Sequence, residues 1–190
     1  HKEMMPQFAD RDIYRFNPRM FAAGISIFSL GLFKKAVIAD NLALYASPVF
    51  EAADGGPSLS FTDAWGGVFA YTLQLSFDFS GYSHLAIGLA CCFGVKLPIN
   101  FNSPYQAANI IDFWRRWHIS LSTWLRDYPY ISLGGSRRGP SRPYLALATT
   151  LLLGRPWHRA PWTFLLWGAV HDFLPVRARL PGSRLAPPPR

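Results

Sequence analysis

Half of the 190 residues are hydrophobic and 16% are aromatic, while only 16% are charged, against about 25% in soluble domains. The length suits one ordinary domain, and the charge deficit moves the expectation from a soluble globule to a membrane protein. The net charge of +8 argues against nucleic-acid binding, because many basic residues sit between apolar blocks: Lys34, Lys35, Arg115, Arg116, Arg126, Arg137, Arg138 and Arg142. That placement suits either cytoplasmic loops or contact with anionic lipid.

Residues 1–18 are polar and expected outside the membrane. They carry no basic n-region and no cleavage site, and the chain reads as a piece of something longer. Met20 to Phe33 is an apolar run closed by Lys34 and Lys35, and Ala36 to Phe50 is a second run carrying Asp40 and Asn41. Glu51 to Ser60 is a Gly/Pro/Ser loop. Ala64 to Val95 is the longest apolar region, interrupted by Gln74, Asp78 and His84. As one helix it would extend about 48 Å at 1.5 Å per residue, so a break near Ser80-Gly81 and two shorter elements are expected. The adjacent Cys91 and Cys92 fit neither a disulfide framework nor a metal site and read as small buried hydrophobes.

Ser103, Pro104 and Gln106 are expected to start a helix through a capping box. Residues 113–128 then read as one two-sided helix at the bilayer interface, stopped by Pro129, with the chain turning at Gly134-Gly135. Trp114, His118, Leu121 and Leu125 share one stripe, flanked by Phe113, Trp117 and Trp124. Arg116, Ser120, Thr123 and Asp127 fall on another, accompanied by Arg115, Ser122 and Arg126. His118 has two readings: an interfacial ring bonded to a backbone carbonyl, or an imidazole at a site entrance that handles protons. Arg115 and Arg116 are either a solvated or lipid-facing pair or the binding site of a phosphate-bearing donor.

Tyr144 to Leu153 and Trp162 to Val170 form a last apolar pair around Trp157-His158. An imidazole dehydrated there stays neutral and can act as a base towards an attacking hydroxyl; the plain alternative is a packed loop histidine. His84 and His171 read first as structural residues and second as cavity-lining groups. The tail, residues 175–190, is proline- and arginine-rich and is expected to be disordered. No Ser-His-Asp arrangement, P-loop, CxxC pair or HExxH occurs, so neither a metal nor a tightly bound cofactor is expected.

Five segments resemble the membrane-bound O-acyltransferase family, in its alginate O-acetyltransferase branch: Gly31 to Asp40 (GLFKKAVIAD), Phe77 to Ser83 (FDFSGYS), Leu97 to Tyr105 (LPINFNSPY), Asp112 to Ser122 (DFWRRWHISLS) and Trp124 to Tyr128 (WLRDY). The resemblance covers most of the chain from about Phe21 to Trp167. It implies an all-α, polytopic membrane bundle with an interfacial amphipathic helix, here a partial core over residues 19–174. The implied setting is the bacterial inner membrane, crossed several times. An acyl donor such as acetyl-CoA acts on the cytoplasmic side, and the acceptor is an exported polysaccharide such as alginate, reached with a periplasmic partner protein. By position, His158 matches the family's buried catalytic histidine and His118 the second histidine, with Trp114, Arg115, Arg116, Trp117 and Trp157 as substrate-binding candidates.

The departures lie late in the chain. Where the family has Gly-Leu-Trp-His-Gly-Ala, residues 154–160 read GRPWHRA, placing Arg155 and Arg159 near His158. In the family's Tyr-Ser-Asp the acid is replaced by His84. In Trp-Gly-x-x-His-Gly, Asp172 stands for the last glycine, and the family's Tyr-Leu-Tyr-Ile-Pro is here Tyr128 to Ser132 (YPYIS). These changes predict an impaired copy, or a non-catalytic membrane scaffold that keeps the helical core. A basic interfacial protein holding anionic lipid through Arg115, Arg116 and Arg126 is the remaining reading.

Overall fold

The structure is a computed structural model that describes residues 3–55 and 58–132. All regular elements among the described residues are helical. The chain divides after Ile99 into two units, each described by itself.

The first unit is a helical hairpin. Helix α1 (Met5–Phe8) and a 3₁₀ turn (Arg11–Tyr14) precede α2 (Pro18–Leu32). Asn17 caps α2, its side-chain oxygen accepting from the amides of Arg19 and Met20, with Pro18 at the first helical position. The helix does not stop at Lys34 and Lys35. It widens into a π-helical segment (Phe33–Ala39) and continues as α3 (Asp40–Ala53). Lysine is a good helix former, and neither glycine nor proline stands there to break the ladder. Pro18–Ala53 is thus one 36-residue helix with a mean hydropathy of 1.6 across its most apolar stretch, only 11% of which is buried. Among the described residues it is the one helix long and apolar enough to cross a membrane.

Helix α4 (Phe61–Cys92) returns alongside. Ser60 caps it, accepting from the Asp63 amide and donating to the Asp63 carboxylate. The expected break at Ser80-Gly81 does not occur: 32 residues run without interruption. Both residues are buried, and Gly81 lies against Gly31 of α2 and Lys34 and Lys35 of the π segment, so the glycine serves close packing rather than a bend. Gly24 and Gly31 on α2 meet Gly88 and Gly81 on α4, two pairs of glycines spaced seven apart and running in opposite directions. A Cβ on Gly24 would lie 2.7 Å from the Gly88 carbonyl oxygen, and one on Gly88 would lie 2.5 Å from the Phe28 amide nitrogen. Small residues let helices meet backbone to backbone where lipid gives no hydrophobic drive for association. The buried positions here are accordingly small, with Ala39 and Ala46 as the buried hydrophobics and no large side chain fully enclosed among the described residues.

Helix α4 ends in a Schellman turn: the Val95 amide donates to Ala90, the Gly94 amide donates to Cys91, and Gly94 takes φ +80°. The N-terminal segment folds back here. The Gln7 amide group donates to the Lys96 carbonyl at 2.9 Å and accepts from its N–H at 2.8 Å.

The second unit opens with an extended stretch from Asn100 and a 3₁₀ turn (Pro104–Gln106). Ser103 adopts a left-handed conformation and does not cap, so the expected capping box is absent. The helix begins six residues later instead, at Asn109, whose side-chain oxygen accepts from the Asp112 amide. The single helix expected over residues 113–128 is also corrected. It is two short helices, α5 (Ile110–Arg116) and α6 (Ile119–Leu125), followed by a π turn (Arg126–Tyr130). Helical backbone passes Pro129 and reaches Ser132, so proline is not the stop.

Candidate active site

Residues that resemble one family's segments come together in pairs. In the first unit, Lys35 of the π segment forms an ion pair with Asp78 of α4 and approaches Asp40 at 3.4 Å. Lys34 lies 3.5 Å from Nδ1 of His84, and that nitrogen sits 2.7 Å from the Ser80 carbonyl oxygen. The carbonyl only accepts, so Nδ1 of His84 carries the proton and donates within its own helix. This fits the structural reading of His84. The widened helix sets both lysines against α4, and such π segments recur at functional sites.

In the second unit the pairing centres on His118. It stands between α5 and α6 in a left-handed conformation, φ 47° and ψ 55°. For a residue with a Cβ that conformation costs about 1–2 kcal/mol, and the surrounding bonds hold it. The Asn100 carbonyl accepts from the Ile119 amide at 2.9 Å, the Asn100 side-chain oxygen accepts from the Ser120 amide at 3.2 Å, and the Asn102 amide donates to Arg116 at 3.0 Å. The first two N–H groups of α6 and a terminal carbonyl of α5 are thereby satisfied from the loop at Asn100 and Asn102, 14 to 20 residues upstream. The same Asn100 oxygen lies 3.1 Å from Nδ1 of His118 and 2.9 Å from the Ser120 hydroxyl.

Aromatic rings fix this junction. Trp117 meets Phe101 edge-on at 5.1 Å and stacks on Phe113 at 5.6 Å, with Tyr105 at 6.3 Å. Phe101 lies nearly parallel to the His118 ring at 6.4 Å. Trp114 packs edge-on against Phe113. Arg116 is engaged by Asp112 at 2.9 Å, and that hydrogen bond holds the Asp112 carboxyl below its usual range. Arg115, by contrast, is exposed. Asp127 accepts from Arg126 at 2.8 Å and raises its already high pKa.

Of the predicted site residues, the structure gathers His118, Trp114, Arg116 and Trp117 in one unit and leaves Arg115 facing outwards. His158, Trp157 and His171 lie outside the described residues, as do the last apolar pair and the tail. Asn100 and Ser120 were not foreseen as site residues. The signal for Asn100 was present in the asparagine-rich INFNSP stretch, which has no helical or strand periodicity, whereas Ser120 lies two residues after His118. Among the described residues no group of His, Cys, Asp and Glu is placed to hold a metal.

The sequence model for the membrane-bound O-acyltransferase family matches residues 1–174. The chain belongs to this family. Among its relatives, a peptidoglycan O-acetyltransferase of Helicobacter pylori is 54% identical over 171 residues, which are 90% of this chain and 32% of that protein. A probable alginate O-acetylase of Azotobacter vinelandii is also 54% identical, over 80% of this chain and 30% of its own length. The corresponding protein of Pseudomonas aeruginosa is 47% identical over 98% of this chain and 34% of its own. The chain therefore spans about a third of the length of these membrane-bound O-acyltransferase relatives.

Proposed function

We propose that this chain is the histidine-bearing part of a multi-pass membrane O-acyltransferase in the bacterial inner membrane. It moves an acetyl group from a cytoplasmic donor such as acetyl-CoA, used as cosubstrate, to a hydroxyl of an exported polysaccharide, in concert with a periplasmic partner. The observation that carries this reading is the His118 junction, where a strained, aromatic-braced imidazole is held within the chain's most family-specific segment. Equal identity to relatives named for peptidoglycan and for alginate supports a glycan hydroxyl as the acceptor class, with alginate as one member.

His158 acts as the general base, taking the proton from the glycan hydroxyl as its oxygen attacks the thioester carbonyl. The tetrahedral intermediate collapses to the acetyl ester as the carbon–sulfur bond breaks, and the departing thiolate takes the proton from His158, which restores the neutral base. His118 assists beside the donor. Arg115 is the better placed of the two arginines to meet a donor phosphate, because Arg116 already holds Asp112. Trp114 and Trp117 supply apolar surface beside His118, and Trp157 is the remaining substrate-binding candidate.

Arg155 and Arg159, beside His158 where the family carries small residues, support the second reading of an impaired or scaffolding copy. Labelled-acetyl transfer to polysaccharide by the membrane-embedded protein, with and without His158→Ala, tests both. Transfer lost in the variant supports the enzyme. Equal, absent transfer in both, with partner assembly intact, supports the scaffold.

A further inference from the structure

One oxygen at the His118 junction receives more than a cap requires. Oδ1 of Asn100 lies 3.2 Å from the Ser120 amide nitrogen, 2.9 Å from the Ser120 hydroxyl and 3.1 Å from Nδ1 of His118. The Ser120 backbone N–H can only donate, so the Asn100 atom turned towards it is the carbonyl oxygen and not the amide nitrogen. An amide oxygen can only accept. The imidazole nitrogen facing it therefore carries a proton, and in the neutral ring the lone pair then resides on Nε2. The parallel Phe101 ring at 6.4 Å restricts rotation of the imidazole plane, and the left-handed backbone at residue 118 brings Nδ1 and the Ser120 amide onto the same oxygen. Strain of this kind persists where the surroundings over-determine it, as at sites that pre-organise a reacting group.

We propose that Asn100 is a positioning residue for His118: it selects the Nδ1–H tautomer and thereby makes Nε2 the proton-accepting nitrogen. The inference deepens the acyltransferase reading and rests on it for its catalytic consequence, though not for the tautomer itself. If Nε2 accepts a proton, Nδ1–H keeps donating to the same oxygen and the ring does not turn. A neutral amide orients the imidazole without placing a further charge in the junction, which an aspartate would do.

The test uses the whole chain in lipid nanodiscs with ¹⁵N-ring-labelled histidine, at about pH 8 so that an ordinary imidazole is neutral. The His118 resonances are identified by their loss in His118→Gln. The expected wild-type result is a protonated Nδ1 and a lone-pair Nε2. Asn100→Leu, similar in size but without an acceptor, is expected to populate the opposite tautomer, and Asn100→Asp to restore Nδ1–H. A wild-type ring protonated on Nε2, or an unchanged tautomer in Asn100→Leu, overturns the proposal. The wild-type measurement decides even if the variants do not fold. In the transfer assay, Asn100→Leu is expected to lower kcat by about 100-fold with little change in donor KM, and Asn100→Asp to recover most of it. Full activity in a tautomer-shifted Asn100→Leu also overturns the positioning role. If the wild type transfers no acetyl at all, the acyltransferase reading fails while the tautomer result stands.

Discussion

Gly31 and Gly81 meet backbone to backbone: a Cβ on the first would lie 2.8 Å from the carbonyl oxygen of the second, and a Cβ on the second 3.0 Å from that of the first. Neither neighbour is a flexible side-chain tip that can swing away. Gly31→Val is expected to push α2 and α4 apart and destabilise the hairpin by at least about 1–3 kcal/mol, the usual cost of overpacking. Gly66, on the same α4, has nothing within 4 Å of its added Cβ. Gly66→Ala is expected to be neutral or stabilising by about 0.5–1 kcal/mol, since alanine is the better helix former. Thermal unfolding of both variants in detergent separates a packing role from a general intolerance of substitution.

The Lys35–Asp78 pair predicts an asymmetric double-mutant cycle. Lys35→Met strands both Asp78 and Asp40, whereas Asp78→Leu leaves Lys35 beside Asp40. In a segment apolar enough to span a membrane, an uncompensated charge costs up to about 3 kcal/mol, less here because both side chains are partly exposed. Lys35→Met is expected to be the worse single change, and the double change is expected to regain most of the lost stability. Equal losses that simply add, measured by chemical denaturation in micelles, would show that the pair is not coupled.

His118 predicts a separation of fold from chemistry. Asparagine tolerates left-handed backbone and a β-branched residue does not. His118→Asn is expected to keep the α5–α6 junction, read as near-wild-type tryptophan fluorescence and thermal midpoint, while abolishing the proposed acetyl transfer. His118→Val is expected to lose both.

The hydrogen bond from Arg116 lowers the Asp112 pKa, which gives the second unit a defined response to acid. A carboxyl depressed in the folded state contributes its stability fully above its ordinary pKa of about 3.9 and loses it as pH falls through the folded value. Destabilisation of α5 is thus expected below about pH 4, and Asp112→Asn should flatten that dependence while being less stable near neutrality. Thermal midpoints of the two proteins from about pH 6 to about pH 3 check this; parallel curves would remove the pair from the account.

The helical class was legible from apolar block lengths, and the importance of residues 101–128 from their mix of tryptophan, arginine and histidine. The errors share a cause. Glycine at position 81 was read as a bend because local propensity treats it so, whereas it faces Gly31 across a helix pair and only the partner reveals its use. Lys34 and Lys35 read as the end of a span because the α4 residues they face, Asp78 for Lys35 and His84 for Lys34, lie more than 40 positions away. The run from Phe113 to Tyr128 has unbroken helical periodicity, and nothing local marks His118 as left-handed. That break is imposed by Asn100 and Asn102, whose bonds to α5 and α6 are non-local.

Carbonyl-to-glycine contact along α2 and α4 also bears on how the protein moves. Two rods locked main chain to main chain have no side-chain cushion in which to slide or twist, so they travel together as a stiff beam. Motions within the first unit must therefore arise in elements other than this beam.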